Sequence, residues 1–123
     1  MSPIDEKTRY SDQELEEFRI LLTEKLGVAQ KQLDYYLNQL KDLAESSDSK
    51  IRGFDDGVPT AENERLTNLA GRQKKHIKHL ENALIRIENK VYGICRKTGK
   101  LISKERLRAV PHATLSIEAK QGQ

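Results

Sequence analysis

Few residues in this chain have the chemistry to bind a metal or to transfer a proton. Its 123 residues include three histidines, His76, His79 and His112, and one cysteine, Cys95. His76 and His79 are spaced i, i+3, so on a helix both imidazoles could reach one metal ion. No Cys, Asp or Glu accompanies them at ligand spacing. We therefore expect surface or seam-edge histidines and no metal site.

The sequence also lacks the motifs of common catalytic sites. It contains no P-loop, no dinucleotide-binding fingerprint and no recognisable pairing of a nucleophile with a base. Its many carboxylates alternate with lysines, as they do on solvated helix faces. These features predict a protein that is not an enzyme.

Charge is distributed unevenly along the chain. Residues 1–64 carry 15 Asp/Glu and 8 Lys/Arg, whereas residues 65–123 carry 4 and 14. This asymmetry favours attraction between the two halves, with an anionic ligand as the second interpretation. There is no helix-turn-helix spacing and no aromatic interleaving of the basic residues, so we expect no sequence-specific DNA binding. The basic residues form two clusters: Arg72, Lys74, Lys75 and Lys78, then Arg96, Lys97, Lys100, Lys104, Arg106 and Arg108.

Two features predict a cytoplasmic protein that does not enter a membrane. A lone cysteine cannot form an internal disulfide, which suits a reducing compartment. The N-terminal MSPIDEKTRY has no apolar segment, and no apolar run approaches the ~20 residues that a membrane helix needs.

The apolar pattern predicts a long antiparallel helical hairpin over residues 11–92. A capping box at Ser11 and Glu14 opens the first helix, and apolar residues then recur every three or four positions as far as Leu43. A Ser-, Asp- and Gly-rich tip at about residues 47–59 follows. The second helix should run from Thr60 to about Tyr92 and end at Gly93.

Residues 93–123 predict a small globular head, while residues 1–10 are expected to be a flexible N-terminus. Thr98-Gly99 lies between two short β-compatible arms, and Ser103 should cap a short helix that Pro111 ends. A final helical piece is expected within residues 113–120. The expected core of the head consists of Ile94, Leu101, Ile102, Leu107, Val110, Leu115 and Ile117.

The head also resembles a known family. The segments YGICRKTG (92–99), RLRAVP (106–111) and ATLSIEAK (113–120) are similar, without a gap, to the pattern YGxCxxCG…RLxAxPxAxxCxxCK of the DksA/TraR zinc finger. A long helical hairpin precedes the finger in that family, as it does here. The resemblance implies a mainly α fold: an antiparallel hairpin with a small zinc-finger-like head.

The four positions at which the family binds zinc hold Cys95, Thr98, Ser116 and Ala119 in this chain. Structural zinc needs four donors in a tetrahedral arrangement, and one thiolate does not supply them. We therefore predict a head that folds without zinc, in which Cys95 is a packed thiol.

By resemblance, the chain is a bacterial transcription regulator that binds RNA polymerase as a monomer. The hairpin would enter the secondary channel of the polymerase and bring acidic tip residues near the catalytic Mg²⁺. The family's tip motif is Asp-x-x-Asp-x-Ala. Its second Asp aligns with Asp55, whereas its first Asp aligns with Arg52 and its Ala with Gly57; Asp56 could supply part of the missing acidic charge. The resemblance also implies a ppGpp site at the polymerase interface. Four positions that are basic in the family's site align with residues of this chain: two are kept as Arg72 and Lys120, His79 replaces a lysine, and Val110 replaces an arginine.

Two other functions remain open at this stage. The hairpin could be a structural or assembly module that self-associates or binds another coiled coil, with Gln73 setting the register of the seam. Non-specific nucleic-acid binding is the third interpretation, and it predicts a steep dependence on salt.

Overall fold

The structure, a computed structural model, describes residues 8–50 and 60–122, without the side chains of residues 46–50. Two long helices, α1 (Asp12–Lys50) and α2 (Ala61–Glu88), precede two short ones, α3 (Lys104–Ala109) and α4 (Ile117–Gln121). These residues form no strand, and one isolated antiparallel bridge pairs Ile94 with Leu101. The predicted fold class, a helical hairpin with a small C-terminal head, is confirmed. None of the described helices is both long and apolar enough to cross a lipid bilayer.

The chain divides into two compact units. The central unit comprises Gly27–Lys78, and the terminal unit combines Met1–Leu26 with His79–Gln123. In the central unit, Ala29 of α1 and Leu66 and Ala70 of α2 are buried. The other predicted seam positions of this unit are half-buried: Leu33, Tyr36, Leu40, Leu43, Leu69, Gln73 and Ile77.

Helix α1 begins where the sequence predicts and continues further than expected. The Ser11 hydroxyl accepts a hydrogen bond from the Glu14 amide at 3.1 Å, and the Glu14 carboxylate accepts from the Ser11 amide at 2.8 Å. This is the expected capping box. The helix extends to Lys50, whereas the tip was predicted to begin at about residue 47. Serine and aspartate lower helix propensity by only a few tenths of a kcal/mol each, so a helix already formed can continue through them.

Helix α2 ends earlier than predicted. The Thr60 hydroxyl caps its start by accepting from the Asn63 amide at 3.0 Å. At the other end, the Lys90 and Val91 amides donate to the carbonyls of Ile87 and Arg86, both at 3.0 Å. Lys90 has a φ of 61°, so these bonds form a Schellman motif with lysine in the left-handed position. The helix therefore stops at Glu88, and the prediction of an end at Gly93 is wrong.

Gly93 instead allows a close approach in the terminal unit. Its φ is 82°, and a Cβ at this position would lie 2.7 Å from the ring of Tyr10. Tyr10 is buried, and its hydroxyl donates to the Ile102 carbonyl. Tyr10 therefore departs from the flexible N-terminus predicted for residues 1–10, because its ring packs against the head.

Aromatic rings connect the hairpin helices to the head. Phe18 of α1 lies between Tyr10 and Tyr92, with ring centroids 5.9 Å and 5.3 Å away. Tyr92 is fully buried, and its hydroxyl donates to the Pro111 carbonyl at 2.7 Å. Two ion pairs also join the acidic start of α1 to basic residues further along, as the charge asymmetry predicts: Asp12 with Lys90 and Glu14 with Lys104, both at 2.7 Å.

The core of the head differs in part from the predicted set. Ile102, Leu107 and Leu115 are buried, and Ile94, Leu101 and Val110 are half-buried. Ile117 was expected in the core but is 50% exposed, because it is the first residue of α4, and it is Ala119 that α4 buries. Ser103 caps α3 as predicted, accepting from the Arg106 amide at 3.2 Å.

Candidate functional site

The predicted polymerase-channel tip, Asp55 and Asp56, lies outside the described residues, as do Arg52 and Gly57. Of the predicted site residues that the structure describes, Arg72 lies in the central unit and the others lie in the terminal unit. Those of the terminal unit lie at the positions that hold zinc in the DksA/TraR pattern and in a cavity lined by α2 and the head.

The four former zinc-ligand positions belong to two local structures that meet at Cys95. The first is the turn after Ile94, in which the Gly99 amide donates to the Cys95 carbonyl at 2.8 Å. The second is the start of α4, where the Ser116 hydroxyl accepts from the Ala119 amide at 3.1 Å. The Ser116 amide donates to the Cys95 sulfur at 3.4 Å and so connects the two. The residues that replace the family's ligands are thus joined by hydrogen bonds or cap a helix.

The surroundings of Cys95 favour its thiolate form. A hydrogen bond from the Thr98 side chain is the main cause of a pKa lowered to about 6, and the amides of Ser116, Thr98 and Lys97 act in the same direction. Desolvation opposes them, since the thiol is buried. Hydrogen-bond donors directed at a sulfur stabilise its negative charge, as they do for any anion. We therefore revise the expectation of an ordinary packed thiol: Cys95 is buried as expected, but its pKa is lowered, so it is more acidic than an ordinary thiol.

A cavity of about 320 Å³ lies in the terminal unit and has a strongly cationic lining. It brings together side chains that are far apart in sequence, contributed by α2, the loop after Cys95, α3, the segment before α4, and α4 itself. No Asp or Glu lines it among the described residues. The lining consists of His79, Asn82, Arg86, Arg96, Arg106, Val110, His112, Ala113, Thr114, Leu115 and Lys120.

Three arginines hold one short segment of the cavity wall. Arg86 donates to the His112 carbonyl at 3.4 Å, Arg96 to the Thr114 hydroxyl at 3.1 Å, and Arg106 to the Leu115 carbonyl at 2.8 Å. The last two bonds use Nε, and a guanidinium bound in that way keeps four N–H donors on its terminal nitrogens. Burial lowers the pKa of Arg86, although arginine stays protonated at any physiological pH. The arginines can therefore fix the wall and still present donors to an anion.

Two histidines from distant parts of the chain stack against each other at this cavity. The rings of His79 and His112 have centroids 5.4 Å apart and planes within 8° of parallel. Of the predicted ppGpp contacts, His79 and Lys120 line the cavity, as does Val110. Arg72 does not line it and belongs to the central unit.

Sequence reasoning missed Arg86 and gave His112 no role. Nothing in the sequence pairs His112 with His79, since the two are 33 positions apart and follow no common motif. Arg96 and Arg106 were recognised only as members of a basic cluster. The signal that could have found the cavity is the excess of basic over acidic residues in the second half of the chain, where residues 65–123 carry 14 Lys/Arg and 4 Asp/Glu.

Comparison with known proteins gives the relationships of the chain. Residues 90–123 match the family model of the prokaryotic dksA/traR C4-type zinc finger. A solved structure, transcription factor DksA2 from Pseudomonas aeruginosa, superimposes with a TM-score of 0.74 at 30% identity, covering 89% of this chain and 81% of that one. The chain belongs to the DksA/TraR family.

Curated relatives agree with this assignment. The RNA polymerase-binding transcription factor DksA of Caulobacter vibrioides is 46% identical over 50 residues, which is 41% of this chain and 35% of that protein. General stress protein 16O of Bacillus subtilis is 29% identical over 103 residues, or 80% of this chain and 63% of that protein. The matches thus span between about a third and somewhat less than two thirds of the length of these relatives.

The zinc implied by the DksA/TraR finger does not fit the residues of this chain. A C4-type site uses four thiolates. Here the four positions offer the Cys95 sulfur, two hydroxyls that already take part in a turn and a helix cap, and the methyl group of Ala119. Among the described residues, no three His, Cys, Asp or Glu side chains are grouped as metal ligands. The donor set is therefore unsuitable for structural zinc.

Proposed function

We propose that this protein is a transcription regulator that binds RNA polymerase through the secondary channel, without recognising a DNA sequence and without catalysing a reaction. The observation that carries the proposal is the structural likeness to transcription factor DksA2 over 89% of this chain. The Caulobacter vibrioides relative, named as RNA polymerase-binding, supports the choice of partner.

The helical hairpin suits such a role physically. Its buried residues form a narrow apolar seam between α1 and α2, and most residues on the remaining faces are charged or polar. A few apolar side chains are also exposed there: Ile20, Val28, Tyr35, Leu37 and Ile85. We infer that the protein acts as a cytoplasmic monomer, since a dimer through the hairpin would cover the surface that enters the channel. The acidic tip, Asp55 and Asp56, would act on the surroundings of the catalytic Mg²⁺ by its charge.

The cationic cavity provides the protein's part of a site for a phosphorylated nucleotide such as ppGpp. Arg86, Arg96, Arg106 and Lys120 supply charge and N–H donors, and guanidinium groups bind phosphate with two parallel hydrogen bonds. His79 lies at the same cavity, at a position where the family has lysine.

Pull-down of core RNA polymerase with the tagged full chain tests the partner. We expect Asp55→Asn with Asp56→Asn to change transcript output while polymerase binding stays nearly intact. The matched control is Asp34→Asn with Asp42→Asn, which removes the same charge from exposed positions of α1. Failure of the wild type to retain polymerase would exclude the partner. Identical transcript output from wild type and tip variant would exclude the tip mechanism alone.

A further inference from the structure

The head contains two parts that a zinc ion would join in a C4-type finger, and arginine side chains join them here. One part is the turn that begins at Cys95, and the other is the segment that leads into α4. Arg96 of the turn donates from Nε to the Thr114 hydroxyl at 3.1 Å, and its amide donates to the Thr114 carbonyl at 2.9 Å. Arg106 of α3 donates from Nε to the Leu115 carbonyl at 2.8 Å. Basic side chains thus connect the parts that the family connects through a metal ion.

Three of the cations around these contacts have no acidic partner in the part of the chain that the structure describes. Arg96, Arg106 and Lys120 line the cationic cavity, and none of the ion pairs between described residues includes them. Arg86, which is half-buried, lines the same cavity. Positive charges held close together repel one another and so lower the stability of the compact state. An anion bound among them would remove this repulsion.

The same side chains have the donors that a phosphate needs. In Arg96 and Arg106 the bonds to the wall use Nε, so four N–H donors remain on the terminal nitrogens of each guanidinium. A guanidinium can bind a phosphate through two parallel hydrogen bonds. Lys120 adds an ammonium group from α4. Since the turn after Cys95, α3 and α4 each contribute one of these cations, a multiply charged anion in the cavity would connect all three elements.

We propose that an anion bearing a diphosphate group is a structural ligand of the head, connecting through Arg96, Arg106 and Lys120 the parts that zinc connects in the family. A diphosphate suits the cavity because two phosphoryl groups supply acceptors and charge for cations that come from three elements. The inference rests on the anion site of the proposed function and gives that site a second role, which needs no polymerase. A ligand that binds only the folded state stabilises it by mass action, as structural zinc stabilises a finger.

Thermal unfolding of the full chain, followed by circular dichroism, tests stabilisation by the anion. Sodium pyrophosphate is the probe, and sodium chloride of equal ionic strength is the reference. At about ten times its dissociation constant, a ligand favours the folded state by roughly elevenfold, which corresponds to about 5 °C for a chain of this size. We therefore expect the melting temperature to exceed that of the reference by about this amount. With a nucleoside diphosphate as second probe, a larger rise supports a nucleotide as the ligand, and an equal or smaller rise supports the inorganic diphosphate.

Two matched variants separate the cavity from general attraction to a basic head. Lys120→Gln removes one of the cations that line the cavity and should reduce the shift caused by pyrophosphate by roughly half or more, since an ammonium–phosphate interaction is lost. Lys100→Gln removes the same charge from a residue of the head that does not line the cavity, and should leave the shift unchanged. Both lysines are exposed, so neither change should prevent folding.

Amide hydrogen exchange shows whether the anion connects the two parts of the head. The Ser116 amide donates to the Cys95 sulfur and the Ala119 amide to the Ser116 hydroxyl, so both bonds lie where the start of α4 meets the turn. At about ten times its dissociation constant, pyrophosphate should slow the exchange of both amides by roughly elevenfold, because it binds only the closed form. Amides of the central unit should exchange as before.

The proposal is overturned if pyrophosphate does not raise the melting temperature above that of the reference, or if Lys120→Gln keeps the full shift. Unchanged exchange of the Ser116 amide would contradict the structural role even where pyrophosphate binds. No polymerase takes part in these measurements, so failure of the structural anion and failure of polymerase binding are observed separately.

Discussion

Adding a single methyl group at Gly93 should strongly lower the free energy of unfolding. Its φ of 82° is strained for any residue with a Cβ, which costs about 1–2 kcal/mol. A Cβ would also lie 2.7 Å and 2.8 Å from two carbons of the Tyr10 ring and 3.3 Å from Leu107. The ring is buried and fixed by its hydrogen bond to Ile102, so it cannot easily move. Overpacking of this kind costs about 1–3 kcal/mol.

We therefore expect Gly93→Ala to destabilise the protein by about 2–5 kcal/mol, the sum of the backbone and packing costs. Because 1 kcal/mol corresponds to roughly 4 °C for a chain of this size, the melting temperature should fall by about 8–20 °C. Thermal and urea unfolding, followed by circular dichroism at 222 nm, measure the change. Gly27→Ala is the matched control: Gly27 is helical with no atom within 4 Å of an added Cβ, so this variant should gain about 0.5–1 kcal/mol.

A double-mutant cycle separates the packing cost from the backbone cost. In a Tyr10→Ala background the packing cost should disappear, and Gly93→Ala should then cost only the ~1–2 kcal/mol of backbone strain. The reasoning is refuted if Gly93→Ala is as stable as the wild type. An equal cost in both backgrounds would refute the part that concerns the Tyr10 ring.

Three further outcomes follow from the terminal unit. Lys90→Gly should be more stable than Lys90→Ala by about 1 kcal/mol in urea unfolding, because both lose the exposed pair with Asp12 and only glycine relieves the φ of 61°; equal stability would exclude strain at this position. The Cys95 pKa of about 6 lies below its ordinary value of 9.0, so the unfolded state holds more protons between these values. The free energy of unfolding should therefore increase as the pH is raised from 6 to 9, and this contribution should be lost as the pH falls through 6. In Cys95→Ser the increase over the same range should be less steep. Finally, purified protein should contain no stoichiometric zinc by atomic emission, and a chelator should leave its melting temperature unchanged; one zinc per chain would contradict the mismatch of donors.

Local patterns in the sequence predicted much of the fold because those patterns depend on near neighbours. The capping box at Ser11 involves residues three apart, and the seam from Leu15 to Leu43 depends on helical periodicity alone. The Ser103 cap of α3 was predicted for the same reason. The ends of the long helices were less predictable, because a left-handed Lys90 is not encoded by residue type in the way that glycine is.

The sequence by itself determined the family, the helical hairpin and the loss of three of the four zinc thiolates, since these depend on residue identity and short-range spacing. Only the tertiary structure placed Tyr10 against Gly93, brought Arg86, Arg96 and Arg106 to one segment of wall, and stacked His79 on His112. Those contacts join residues many positions apart, and their geometry follows from how the helices and the head pack. No pattern of neighbouring residues contains that information.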